Sequence, residues 1–517
     1  MESILSFDFN AALGEKVNIS SSLLALEVCK KVNLDPKMTV SELIQEFIER
    51  KKIKKENDVP DDIEAHAARA QGVKDVVHHL VHEKLVDDLN PVVDLFDMDM
   101  FELRLNELVE AFPNFWTHAL AIKANPLAGI LLQAKPLGIG LETASFAEGM
   151  HAVKLGFSPE KIIIDSPCKA LHELKTLMLL GCYVNLDNLT EIHKVQTLYD
   201  HNDNENTPFL SKIGLRINPV VGGGTIAASS TATATSKFGL IWTPETEDEL
   251  VNLFATHSWL QGIHVHVGSQ GCALDLLVAG AKRAVEFALL VNKRIERNQV
   301  CVIDIGGGVP TIYNGLKMEA VTYKSYASLL QSRVPGKIKI RAVPQKHLEL
   351  FSGEFKVITE FGRSIFAKPG ITLSRVEAVK DWNGHRVAVI NCGANQFLRS
   401  VYLPKTWPLK FSVFDASGQQ KTTSFVPQDL AGPLCFSGDV VARQALLPLL
   451  ETGDYVVIHD TGAYTMAMYS KFNSIPAPAT LAYRREGNRV YVSRVKARET
   501  VEETLAFWGE HKELLWK

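Results

Sequence analysis

Lys123 stands in HALAIKANP (118–126), near the end of an apolar, strand-like run. A lysine is rarely buried without a partner or a task. In a pocket, its amine forms Schiff bases with aldehydes. Other residues supply what such chemistry needs, provided the fold brings them together. DIGGGVP carries Gly306, Gly307 and Gly308. Closely spaced backbone N–H groups with no side chains in the way suit a phosphate. Arg363 adds a fixed positive fork. His266, in HVHVGS, can stack on a ring, and Glu360 can pair with a ring nitrogen. An aldehyde that carries both a phosphate and a ring nitrogen in need of an acidic partner is pyridoxal phosphate. Taken singly, the glycine run also reads as a tight turn and His266 as a satisfied core histidine.

These side chains need a scaffold that gathers them. After Asn90 the chain shows eight short apolar runs separated by helical stretches: HALAIKANP (118–126), GIGLET (138–143), KIIIDS (161–166), CYVNLD (182–187), KIGLRINP (212–219), GIHVHVGS (262–269), CVIDIGGG (301–308) and KVITEFGR (356–363). Strands alternating with helices predict a parallel sheet. Eight such units in about 250 residues predict a (β/α)8 TIM barrel, assigned here to residues 91–370. The runs are almost continuously apolar, as strands buried on both faces should be. Most end in a reactive or special residue: Lys123, Glu142, Asp165, Arg216, His266, Gly306 to Gly308, Glu360 and Arg363. A barrel collects all these ends on one face, where its active sites form.

Residues 371–517 change texture, with alternating strands and hairpin turns such as NG and EGN, and read as a C-terminal β domain. Residues 1–90 read as a polar, helical N-terminal extension. SSSLLALEVCKKV and TVSELIQEFIERKK have helical apolar spacing, Thr39 or Ser41 could cap the second, and ERKKIKKENDVPDD is a solvated charge run. GGGTIAASSTATATS (222–236) reads as a flexible linker or an active-site loop.

Composition narrows the function classes. The 517 residues are 46% hydrophobic, enough for large cores, and a formal net charge of −4 gives no reason to expect a nucleic-acid or anionic-membrane surface. The seven cysteines form no CxxC pair, which favours a reduced, cytoplasmic setting over a disulfide framework or a zinc site. No apolar run reaches membrane-spanning length, and the N-terminus lacks a basic region followed by an apolar core, so no signal peptide is expected.

AIKANP, ETASFAEGMHAVKLGF, LRINP, SKFGL, HVHVGSQ, DIGGG, EFGRSIFA, GPLCFSGD, DTGAYTMAM and VKARETVEE follow one another from about residue 91 to 505. In that order they resemble the fold type III, alanine racemase-like PLP-dependent decarboxylases, the group of ornithine, diaminopimelate and biosynthetic arginine decarboxylases. The motifs lie closest to the diaminopimelate enzymes. The resemblance implies that Lys123 forms the Schiff base and His266 stacks on the ring. Gly306, Gly307, Gly308, Gly362 and Arg363 would surround the cofactor, with Ser269 and Tyr464 near the phosphate and Glu360 at the pyridine nitrogen. Cys435, in GPLCFSGD with Asp439, would come from the other subunit of a head-to-tail homodimer and donate a proton. Glu142, Glu148 and Arg216 would surround the pocket. No metal is implied.

Two departures bear on the substrate. EFGR stands in place of the family's usual EPGR, with Glu360 and Arg363 at unchanged spacing, so only a local backbone change is expected. Phe436 follows Cys435 where relatives place an acidic residue for the substrate's distal amine. A phenylalanine cannot neutralise a buried ammonium. Arg399, in NQFLRSVY with Tyr402, resembles the arginine that binds a distal carboxylate. The expected activity is therefore decarboxylation of a diamino acid, or of a carboxylated or otherwise modified one. A PLP-dependent racemase and an inactive regulator on the same fold are the alternatives. A racemase of this fold typically sets an arginine at the ring nitrogen, whereas a regulator has no need of the full set Lys123, His266, Glu360, Arg363, Cys435 and Tyr464.

Overall fold

The computed structural model describes residues 62–201, 208–313, 321–334, 350, 353, 355–487 and 489–509. The N-terminal segments around Thr39 and Ser41, Cys29 and most of the charge run lie outside them.

All eight expected runs form strands of one closed parallel barrel: β2 (Thr117–Ala121), β3 (Gly140–Thr143), β4 (Ile162–Ile164), β5 (Tyr183–Leu186), β6 (Ile213–Asn218), β8 (Leu260–His264), β9 (Val302–Asp304) and β10 (Lys356–Thr359). A short β7 (Leu240–Ile241) hangs on the end of β6. The sheet closes where Val184 of β5 faces Ile213 of β6. Helices wrap the outside, and their apolar faces merge with the outward faces of the strands into the largest core. Inside, Ala119, Ile163, Tyr183, Val302 and Ile358 make a separate small cluster. Tyr183 fills the barrel axis because Gly214 and Gly262 leave it room; a Cβ at either would meet its hydroxyl at 2.5 or 2.0 Å.

The second sheet has ten strands: β1 (Val92–Asp97), β11 (Gly370–Trp382), β12 (His385–Ile390), β13 (Phe411–Phe414), β14 (Gln420–Lys421), β15 (Phe425–Ala431), β16 (Val440–Pro448), β17 (Tyr455–His459), β18 (Ala479–Glu486) and β19 (Arg489–Lys496). The NG turn closes the β11–β12 hairpin, with Asn383 and Gly384 both at positive φ (55° and 81°), the backbone that favours this pair of residues.

The structure departs from the expected boundary at residue 90. β1 does not join the barrel. It runs antiparallel to β11 and parallel to β18, with Val92 opposite Ser374 and Val93 opposite Ala479. The helix Asp62–His82 packs Val73, Val76, Val77 and Leu80 onto this sheet, against Val93, Leu95, Ile371 and Leu373. Residues 62–97 therefore pack as part of the β domain. VVDLFD is apolar enough for either sheet, and only partners far along the chain decide between them.

Candidate active site

The barrel's inner face alternates in layers, because strand side chains repeat every two residues. Two residues beyond the apolar floor of Ile163, Tyr183, Val302 and Ile358 come Asp165, Asn185, Asp304 and Glu360, all buried. His264 completes this polar layer. Asn185 Nδ2 donates to Asp165 Oδ1 (2.8 Å) and Asp304 Oδ2 (3.1 Å), and His264 Nε2 lies 3.5 Å from Asp165 and 3.6 Å from Glu360. Asp165 is one of the expected strand-end residues; Asp304 and His264 are not. The period-two signal was nevertheless present, since His264 precedes His266 by two positions and Asp304 precedes Gly306 by two.

Above this layer stand the expected residues. Lys123 leaves a single 3-10 turn after β2, and its Nζ lies 2.5 Å from Oε1 of the fully buried Glu142 on β3. Burial opposes its charge, but Glu142 first, and then Tyr464, Glu360 and Asp165, hold its ammonium well above the usual lysine range. Burial, reinforced by Asp165 and Asp304, pushes the Glu360 carboxyl far above the usual carboxylate range. Neither Glu360 oxygen has a hydrogen-bond donor. His266 Nδ1 is 3.8 Å from Glu360 and accepts from Gly307 N (3.3 Å). Burial, then the nearby cations Arg216 and Lys123, push both His264 and His266 down, so they are neutral imidazoles; His264 falls to about 3. Arg216 at the end of β6 lies 4.3 Å over the Phe238 ring and 4.0 Å from Asp187.

The glycine run is a cradle that only glycine can build. Gly306 and Gly308 take φ of 66° and 107°, and a Cβ on Gly307 would lie 2.1 Å from the Glu360 carbonyl. Arg363 sits across it, donating to Ser269 Oγ (3.1 Å) and Tyr313 Oη (2.7 Å), with its guanidinium 4.4 Å from the Tyr464 ring centre. The residue between Glu360 and Arg363 that departs from EPGR, Phe361, is buried among Phe112, Tyr323 and Tyr326, and Gly362 keeps close contact with Ala121 and Ala124. The Gly/Ser/Thr/Ala-rich loop is folded onto this side of the barrel: Ser269 N donates to Ser229 O, and Thr231 N to Val267 O, both at 2.9 Å.

Three expected residues differ in setting. Glu148 accepts from Ala144 N (2.7 Å) and its own N–H donates to Ser145 Oγ (3.2 Å), the cap of the helix Phe146–Lys154, beside the pocket. Arg399 donates to the Tyr464 carbonyl (3.2 Å) and lies over Trp407 (4.4 Å) and Tyr464 (4.9 Å); burial, then Arg363, lowers it to about 10. Asp439 is buried and accepts from Ala394 N (2.6 Å) and Leu434 N (2.8 Å), which anchors the loop of Cys435 without reaching the cradle. In that loop the Cys435 thiol is exposed, and Phe436 stacks on Tyr402 at 6.1 Å.

A buried Glu360 carboxyl without a donor, a glycine cradle with no room for side chains and a lysine held by Glu142 fit pyridoxal phosphate. Fold and site thus define a barrel-and-β-domain protein of the pyridoxal-binding kind. The chain belongs to the pyridoxal-dependent decarboxylases, whose pyridoxal binding domain matches residues 98–367. Diaminopimelate decarboxylase of Helicobacter pylori is 27% identical over 431 residues, covering 82% of this chain and 96% of that protein. The Deinococcus radiodurans diaminopimelate decarboxylase is 28% identical over 364 residues, covering 70% and 82%. Among solved structures, the H. pylori enzyme complexed with L-lysine superposes with a TM-score of 0.69 at 24% identity, covering 83% of this chain and 99% of that one. The lysine/ornithine decarboxylase of Vibrio vulnificus complexed with cadaverine superposes at 0.62 and 22% identity, covering 78% and 97%. The six cysteines among the described residues are all free thiols. No helix among them is long and apolar enough to cross a membrane.

Proposed function

We propose that the protein decarboxylates a diamino acid, or a carboxylated or otherwise modified diamino acid, as a head-to-tail homodimer in a reduced, cytoplasmic setting. The relatives named as diaminopimelate decarboxylases support the substrate class. The observation that carries the reading is Glu360, a donor-less carboxyl buried in the barrel beside Asp165 and Asp304. A buried carboxyl that holds its proton and receives no hydrogen bond is placed to share that proton with a ring nitrogen. An arginine there would favour the racemase alternative.

Bound in this site, pyridoxal phosphate supplies an aldehyde for amines and a ring that accepts the electron pair left when CO2 departs. Lys123 Nζ would hold the group through its aldehyde carbon. Glu142 Oε1 is placed to take the Nζ proton. His266 would lie against the ring, and Glu360 would face the ring nitrogen and share its proton. Gly306, Gly307, Gly308, Ser269, Arg363 and Tyr464 would hold the phosphate. Cys435, contributed by the second protomer, delivers a proton to the α-carbon. Support for that contribution is the exposed thiol on a patch of exposed aromatic residues, Tyr402, Phe472, Phe507 and Trp508; such a patch is unusual on a monomer's surface. Arg399 provides a cation for a distal carboxylate, while Phe436 and Tyr402 offer a distal amine no counter-charge.

Replacing Glu360 by arginine tests the reading. Cofactor should remain bound while CO2 release falls by about a hundredfold or more, the scale of losing a positioned charge. Undiminished CO2 release would remove Glu360 from the ring nitrogen.

A further inference from the structure

The helix Asp62–His82 precedes the matched family domain, yet one of its side chains reaches the inside of the molecule. Arg69 leaves only 5% of its side chain exposed. It donates to Asp460 Oδ1 (3.1 Å) and to the Lys368 carbonyl (2.8 Å), and Lys368 Nζ meets Asp460 Oδ2 at 3.1 Å. Lys368 and Asp460 are equally buried. Arg69 thus ties together two passes of chain, one leaving the barrel just after Arg363 and the other leading into Tyr464.

Those passes are where the cofactor-binding residues meet. The turn 460–464 contains two non-glycine residues at positive φ, Asp460 (61°) and Tyr464 (58°). Such backbone persists only where its surroundings hold it. At the Tyr464 end the hold comes from the turn of Lys123: Tyr464 N donates to Ala124 O (2.9 Å) and Asn125 Nδ2 to Gly462 O (3.0 Å). Along the middle, Thr461 N donates to Gly370 O and Gly462 N to Ala367 O. At the Asp460 end the hold is the buried ion triad with Arg69 and Lys368.

We propose that Arg69 is a positioning residue for the phosphate side of the site: through Asp460 it sets the turn that presents Tyr464 to Arg363, so the N-terminal helix is part of the active-site frame. The inference rests on the reading above that Tyr464 contacts the cofactor phosphate.

The test is titration of the apo-protein with pyridoxal phosphate, followed by tryptophan fluorescence, alongside the apo-protein's thermal midpoint. Arg69→Met should raise the apparent Kd about tenfold, as when a residue supporting a binding group is removed, and Arg69→Lys should restore part of it. Asp75→Asn, which breaks the ion pair of the same helix with Arg485 (3.5 Å), should lower the midpoint without moving the Kd. Tyr464→Phe should raise the Kd, and adding Arg69→Met to Tyr464→Ala should change it little further. If Arg69→Met does not fold, Asp460→Asn replaces it with the same expectation. An Arg69→Met protein with lowered midpoint and unchanged Kd, while Tyr464→Phe weakens binding, overturns the proposal and leaves the reading of Tyr464 intact. Unchanged Kd in Tyr464→Phe overturns that reading, and the route through Arg69 with it.

Discussion

Lys123 Nζ and Glu142 Oε1 lie 2.5 Å apart, one on the turn that follows β2 and the other on β3, the parallel strand whose register sets Glu142 beside Ala121. Glu142 is wholly buried; burial pushes its carboxyl up to about 7 against the pull of Lys123, and once ionised it keeps Lys123 an ammonium. An amine attacks an aldehyde only when neutral. Attachment of pyridoxal phosphate to the apo-protein should therefore quicken as pH rises. Glu142→Gln removes the charge that raises Lys123 and should move the onset to lower pH. Rapid-mixing absorbance across pH checks this, and an unshifted onset would mean that Glu142 does not govern the lysine.

Borohydride reduction followed by peptide mapping should find the pyridoxyl adduct on Lys123 alone. Lys123→Ala should lose covalent retention of the cofactor while its phosphate still binds. An adduct on another lysine would displace Lys123 from its role.

If Cys435 serves the other protomer's site, two inactive variants should complement each other. Lys123→Ala mixed with Cys435→Ala should give heterodimers in which one of the two sites has both residues, recovering up to about half of a normal dimer's activity per heterodimer. No recovery from heterodimers shown to have formed would place Cys435 outside the shared site.

Much of this was legible in advance, for identifiable reasons. Strands buried on both faces write their burial into the sequence as continuous apolar runs, so all eight barrel strands could be read. Lys123, Glu360, Arg363 and the glycines sit at run ends, where the fold makes position meaningful. VVDLFD reads as a barrel strand because nothing in it reveals that its partners are β11 and β18. His264 and Asp304 lie one layer deeper, inside runs that read as core, so no strand end points to them. The stack of Phe436 on Tyr402 joins a loop to the end of the short helix Leu398–Tyr402, an approach with no local signature.

Asp94 of β1 is also buried, between Thr372 and Gln396, with Oδ2 lacking a partner. Burial, against the hydrogen bonds from those two residues, pushes it from 3.8 up to about 6. The folded chain then holds this proton more tightly than the unfolded one. Its contribution is full below the ordinary value and is lost as pH rises through about 6, by roughly 3 kcal/mol at most. Asp94→Asn should flatten that part of the stability profile and raise the denaturation midpoint more at pH 7 than at pH 4. Equal changes at both pH values would show that Asp94 does not titrate in this range.

CO2 release by the purified, cofactor-loaded protein, measured across D and L diamino acids, diaminopimelate and diamino acids with an added terminal carboxylate, tests the proposed activity most directly. Release should come from a diamino-acid substrate, most strongly one whose distal carboxylate can pair with Arg399. No release from any member of the panel, with cofactor attached to Lys123, would contradict a diamino-acid decarboxylase; racemisation of the same compounds would put the racemase reading in its place.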